Sequence, residues 1–199
     1  MTTTYAESRW MGGACPFEAG WKKVMMWVFI IGDALLFAGF LTGYGYGRTL
    51  SANWPQAGEV FNLGLIGLMT FVLISSSATM AAAVATVSSD RAKAARFVWM
   101  TVVGGLVFLG LQAYEWSHLI AAGGRLWANP WGAALFGSYF FLITGFHGTH
   151  VLIGVLINVA TAIRTSKGIT TAENVEMAGL YWHFVDLVWV FIFTLFYLI

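Results

Sequence analysis

Charge is what this sequence has least of. Only 10% of its 199 residues are Asp, Glu, Lys or Arg, where a soluble domain carries about a quarter. A globule so poor in charge could not clothe its own surface, which excludes an ordinary soluble enzyme and a disordered tail. The net charge of +1 excludes the electrostatic footprint that DNA or RNA binding needs, so no nucleic-acid partner is expected. A single cysteine, Cys15, excludes an intrachain disulfide framework and any multi-cysteine zinc or iron–sulfur site. There is no internal repeat, no low-complexity tract and no Gly-rich phosphate loop. What is present is apolar: 59% of the residues are hydrophobic and the mean hydropathy is +0.75. The 23 glycines and three prolines are spread through apolar runs, as suits helices packed in lipid. The composition is that of an integral membrane protein.

A bilayer core about 30 Å thick needs about 20 apolar residues per spanning helix. Five segments qualify, at about 24–46, 60–87, 97–122, 131–163 and 176–199. They are too long for strands and lack period-2 alternation, so the expected fold class is an all-α membrane protein, a bundle of five transmembrane helices. Residues 22–199 form its single membrane domain. Residues 1–21 have no apolar stretch of the kind a signal peptide needs and are expected to be a surface-lying or partly disordered lead-in.

With five spans, Arg9, Lys22, Lys23, Arg91, Lys93, Arg96, Arg164 and Lys167 share one side, and only Arg48 and Arg125 face the other. Positive residues concentrate on the cytoplasmic side. The N-terminus is therefore expected in the cytoplasm and the C-terminus outside it, in a multi-pass membrane protein. Small residues predict helix packing: Gly39, Gly43 and Gly47 on the first span, and Ser75, Thr79 and Ala83 on the second.

Ionisable residues inside apolar spans are costly. An Asp at a helix centre costs about 2.5–3.5 kcal/mol, while each Leu, Ile, Phe or Val contributes about 0.3–0.6. Asp33 thus consumes much of what the ten such residues of Val24–Leu41 supply. It is expected to face the bundle interior or a partner. Three spans carry pairs at i,i+3: Glu115 with His118, His147 with His150, and His183 with Asp186. Each pair shares one helix face.

Carboxylates and imidazoles suit a metal or haem site. However, Glu-x-x-His occurs once where di-iron bundles need two copies. At about 1.5 Å rise per residue, Glu115 and His118 also fall in a different layer from the rest. These side chains, with Asp33, are expected to form an intramembrane polar network of interhelical hydrogen bonds, with no metal and no cofactor in this chain. Trp10, Trp21, Trp27, Trp54, Trp127 and Trp131 lie near span ends and read as interface anchors. Trp182 and Trp189, seven apart on the fifth span, are expected to contact lipid or a partner.

Gly145-Phe-His-Gly-Thr-His-Val-Leu-Ile-Gly154 and Tyr181-Trp-His-Phe-Val-Asp-Leu-Val-Trp189 resemble the two most recognisable stretches of subunit III of the haem–copper respiratory oxidases. Leu111-Gln-Ala-Tyr-Glu-Trp116 and Ser138-Tyr-Phe-Phe-Leu-Ile-Thr-Gly145 are similar to that family as well. The likeness runs from about Val24 to the end. It implies a non-catalytic helical bundle lying against the catalytic subunit I, with haem and copper held in partner subunits and phospholipid bound between helices. It also implies a role: stabilising subunit I and sustaining its proton uptake as oxygen is reduced to water. Two departures stand out. Five spans match the short bacterial form, which includes quinol oxidases, and Asp33 in Ile31-Gly-Asp-Ala-Leu-Leu-Phe37 stands where the family usually has glutamate. Two further readings compete, an accessory subunit of a nitric oxide reductase and a self-contained membrane metalloenzyme.

Overall fold

The structure, a computed structural model, describes residues 20–198. Nearly all of the expected lead-in therefore lies outside the described residues. Five helices are long and apolar enough to cross a membrane. In chain order the elements are α1 (Trp21–Leu50), a single turn α2 (Ala57–Val60), α3 (Leu63–Thr86), α4 (Arg91–Ala121), α5 (Ala134–Ser166) and α6 (Ala172–Phe193). The last continues as a wider π-helical turn, Thr194–Leu198. No strand occurs among the described residues.

Polar caps move the helix starts away from the ends of the apolar segments, outward for α4 and α6 and inward for α3. Asp90 accepts from Lys93 N at 2.9 Å and starts α4 six residues before the apolar run. Thr171 caps α6 through Asn174 N, and Asn62 Oδ1 accepts from Gly64 N and Leu65 N at the start of α3. Each cap satisfies amides that the first turn leaves unpaired. Two helices stop in the same way. After α4, Gly123 takes φ +98, while Gly123 N and Gly124 N return to Ile120 O and Leu119 O. After α5, Gly168 at φ +70 repeats the pattern with Thr165 O and Arg164 O. A left-handed glycine followed by this pair of bonds closes a helix with its last carbonyls satisfied.

α3, α4 and α5 pack side by side, and α6 lies against α1, α3 and α5. The seating of α6 depends on glycine. A Cβ on Gly105 of α4 would stand 2.6 Å from both Trp182 Cη2 and Val155 Cγ2, and one on Gly154 of α5 would stand 2.9 Å from Trp182 Cε3. Small residues here clear a slot for an indole, the close approach that membrane helices use in place of a hydrophobic driving force. α1 contrasts with this. Only Phe37, Tyr44 and Gly47 of its thirty residues are buried, and it touches α5 and α6 alone among the long helices with more than marginal contact. At its start Lys23 Nζ meets Glu176 Oε1 at 2.5 Å and Lys22 lies 3.6 Å from Glu173. At the same end of the bundle Arg91 Nη1 donates to Gly168 O at 2.8 Å.

Candidate functional site: an intramembrane polar network

The ionisable side chains are drawn into separate contacts between helices. Asp33 of α1 meets His150 of α5, with Oδ2 and Nε2 3.3 Å apart. The approach is close enough for attraction but not aligned as a hydrogen bond. His150 Nδ1 donates to Phe146 O at 2.8 Å, which leaves Nε2 as the atom turned to the acid. Tyr181 of α6 secures the same place by donating to His150 O at 3.1 Å.

On the far side of α6, His183 Nδ1 and Ser77 Oγ of α3 are 2.6 Å apart, and Asp186 lies beside the same serine. The i,i+3 pair on α6 therefore addresses one hydroxyl of α3. Above and below it, both indoles of α6 reach α3 hydroxyls: Trp182 Nε1 donates to Ser76 Oγ at 3.1 Å and Trp189 Nε1 to Thr70 Oγ1 at 3.0 Å. Thr79 and Thr101 join α3 to α4 at 2.8 Å.

His147 is different. It is fully buried, its ring stacks on Trp189 at a centroid distance of 5.2 Å and meets the edge of Phe108 at 5.7 Å. Neither ring nitrogen has a protein partner. Glu115 is buried beside Tyr197 of the π-helical turn, out of hydrogen-bond geometry with it.

Two expectations are corrected. Trp182 and Trp189 do not face lipid or a partner: they are 1% and 0% exposed. The glycines of α4 and α5 make room for Trp182, and the α3 hydroxyls satisfy both indole N–H groups. His118 is exposed and bonds back to its own helix, Nδ1 donating to Tyr114 O at 3.0 Å, so it is not part of the buried network. Among the small residues, Gly43 and Gly47 receive the ring of Tyr139, whereas a Cβ on Gly39 would meet nothing within 4 Å. Ala83 is buried, Thr79 makes the α4 contact, and Ser75 is exposed along a groove between α3 and α4.

Several members of the network escaped the sequence reasoning. Gln112 Nε2 donates to Thr144 O at 2.7 Å, and Asn158 is 1% exposed with neither amide atom partnered. The available signal was an amide within an apolar run, and for Gln112 its position one turn before Glu115. Among the described residues, no group of three or more His, Cys, Asp or Glu side chains is gathered to hold a metal ion.

A multi-pass bundle whose buried acids and imidazoles join helices pairwise is the class of protein that fold and site define. Residues 4–199 match the family described as cytochrome c oxidase subunit III, and the chain belongs to that family. It is 36% identical over 181 residues to cytochrome c oxidase subunit 3 of Alkalihalophilus pseudofirmus, covering 89% of this chain and 86% of that one. It is also 36% identical to cytochrome c oxidase subunit 3 of Thermostichus vulcanus, over 86% and 84% of the two chains. A probable quinol oxidase subunit 3 of Staphylococcus epidermidis is 36% identical over 194 residues, covering 92% and 90%. The chain is a subunit III of a haem–copper oxidase and a multi-pass bacterial membrane protein, and other oxidase subunits are its partners.

Proposed function

We propose that this chain is the non-catalytic subunit III of a proton-pumping terminal oxidase, lying with its N-terminus in the cytoplasm. It stabilises the catalytic subunit I and supports proton uptake through that subunit while oxygen is reduced to water. The chain acts through packing, charge and bound lipid, and the redox centres belong to its partners.

The observation that carries the reading is the pairwise use of the ionisable residues. Asp33 with His150, and Ser77 with His183 and Asp186, tie helix to helix and converge on no common point. Such ties hold a rigid body together in lipid, where polar side chains act as interhelical glue. The wide apolar face of α1, including Val28, Ile31 and Leu35, each more than half exposed, offers a surface to a neighbouring subunit or to lipid. The apolar groove between α3 and α4, lined by Phe71, Trp99, Met100 and Val103 among others, suits acyl chains.

The test compares the purified oxidase with and without this chain, following proton uptake and the number of turnovers before activity decays. The expected outcome is slower uptake and earlier decay in the depleted enzyme, with haem and copper content unchanged. Equal uptake and equal lifetime would refute the proposed role.

A further inference from the structure

One polar tie of the bundle opens outward. Ser77 of α3 and His183 and Asp186 of α6 meet at the outer edge of the seam between the two helices, where each is partly exposed. Their depth makes that exposure costly. His183 and Asp186 stand close to the middle of the span Ala172–Leu198, roughly 10 Å or more from either headgroup region. Polar side chains at such a depth face the interior of an assembly and pair with one another. Lipid tails offer them no hydrogen bond.

The trio also leaves one position unserved. Ser77 Oγ lies 2.6 Å from His183 Nδ1, so that nitrogen is taken. His183 Nε2 has no partner among the described residues, yet it is not enclosed, unlike both ring nitrogens of His147. Two arrangements of the protons are open to the neutral ring. If Ser77 donates to Asp186, it accepts from Nδ1–H, and Nε2 is left as a bare acceptor. If Ser77 donates to Nδ1, the ring proton sits on Nε2, which is left as a donor. In both, the hydrogen-bonding capacity of Nε2 is unspent.

The surface around the trio suits a helix. Ile74 lies one turn before Ser77 and Leu187 one turn after His183, on the same faces, and both are about half exposed. Ala81, one turn after Ser77, is small and exposed, which lets a second backbone come close. A soluble ligand or a lipid headgroup does not reach this depth, so the matching group arrives on another membrane-spanning helix. An ionised side chain would add a second desolvation cost. A hydroxyl or a carboxamide meets Nε2 in either proton arrangement, since each can both donate and accept. We propose that the α3–α6 seam docks a transmembrane helix of another oxidase subunit, whose hydroxyl or carboxamide side chain hydrogen-bonds to His183 Nε2. The inference rests on the reading of this chain as a stabilising subunit, and it names one contact through which the chain stabilises its neighbour.

The test is made in the intact oxidase. A benzophenone side chain replaces Leu187, which is exposed beside the trio, and is photolysed in native membranes. The adduct should join this chain to a membrane-spanning segment of another oxidase subunit, with a Ser, Thr, Tyr, Asn or Gln within one turn of the labelled residue. No adduct, or adducts with lipid alone, with a second copy of this chain or with an extramembrane segment, would overturn the proposal. His183→Phe keeps a ring without its nitrogens. It should raise the rate at which this chain washes off a tagged partner subunit by about tenfold, the worth of one hydrogen bond in a dry site. Replacing the partner's polar residue with an apolar one of similar size should do the same, and the double variant should lose no more than either single one. Losses that multiply would overturn the contact, as would an unchanged rate in either single variant. Should His183→Phe fail to assemble, the partner variant decides alone, because this chain is then unaltered. An unchanged rate in these variants, beside slower proton uptake on depletion of the whole chain, would sink this contact and leave the proposed role standing. Equal uptake with and without the chain would refute the role while the adduct still reports the contact.

Discussion

α1 and α6 invite comparison because they look alike as sequence. Both are long and apolar, both run in the same direction, and each carries an aspartate near its middle. Their surroundings differ. Half of the most apolar stretch of α6 is buried inside the chain, against almost none of that of α1. The lesson is that apolarity in a membrane helix does not report burial. Lipid tails are as apolar as leucine, so a side chain facing lipid and one facing a neighbouring helix are selected from the same residues. What separates the two helices is what their neighbours offer: α4 and α5 present glycine to α6, and α3 presents a row of hydroxyls.

That contrast can be broken most severely at the glycine slot. Gly105→Leu should destabilise the bundle by about 3 kcal/mol, since even a Cβ there stands 2.6 Å from Trp182. The thermal midpoint of the detergent-solubilised complex would report it. Asp186→Ala removes a buried acid beside Ser77 and should cost on the order of 1–3 kcal/mol, read as loosened assembly with haem content intact. Unchanged subunit content and thermal stability would refute the network on the α6 side. Trp182→Phe keeps an aromatic ring but deprives Ser76 Oγ of its donor and leaves part of the buried slot empty, for about 1–3 kcal/mol. On α1 the effects should be smaller. Lys23→Ala cuts a half-buried pair with Glu176 at the rim of the bundle, and about 1 kcal/mol or less is expected. Gly39→Ala meets nothing within 4 Å and should shift the midpoint within about 0.5 kcal/mol of zero, unless a partner subunit packs there, in which case subunit retention falls instead.

How far the sequence could be read follows from the same physics. The five spans were legible because a hydrocarbon slab demands long uncharged runs, and no other fold class supplies them. Their ends were less so: Asp90, Thr171 and Asn62 extend or delay helices by capping, and hydropathy is blind to that. The single turn α2 and the wide turn at Thr194–Leu198 carry no periodic signal of their own. The latter turns Phe196 and Tyr197 inward together. In the site, the residue types were visible and the pairings were not. His183 finds Ser77, a residue the apolar run of α3 gave no reason to single out, and Asp33 finds only one member of the His147–His150 pair. The two tryptophans of α6 were misplaced because their heptad spacing fixes a face but not what lies against it.

The contact between Asp33 and His150 also says something about the order in which the chain is made. Domains emerge from the ribosome N-terminus first, so α1 enters the bilayer carrying its acid while its imidazole partner is still three spans from being synthesised. During that interval the helix must reside in lipid without the group that later attracts Asp33. Its basic start meets glutamates on α6, which is made after α5. α1 is thus made before both of the helices, α5 and α6, that hold it.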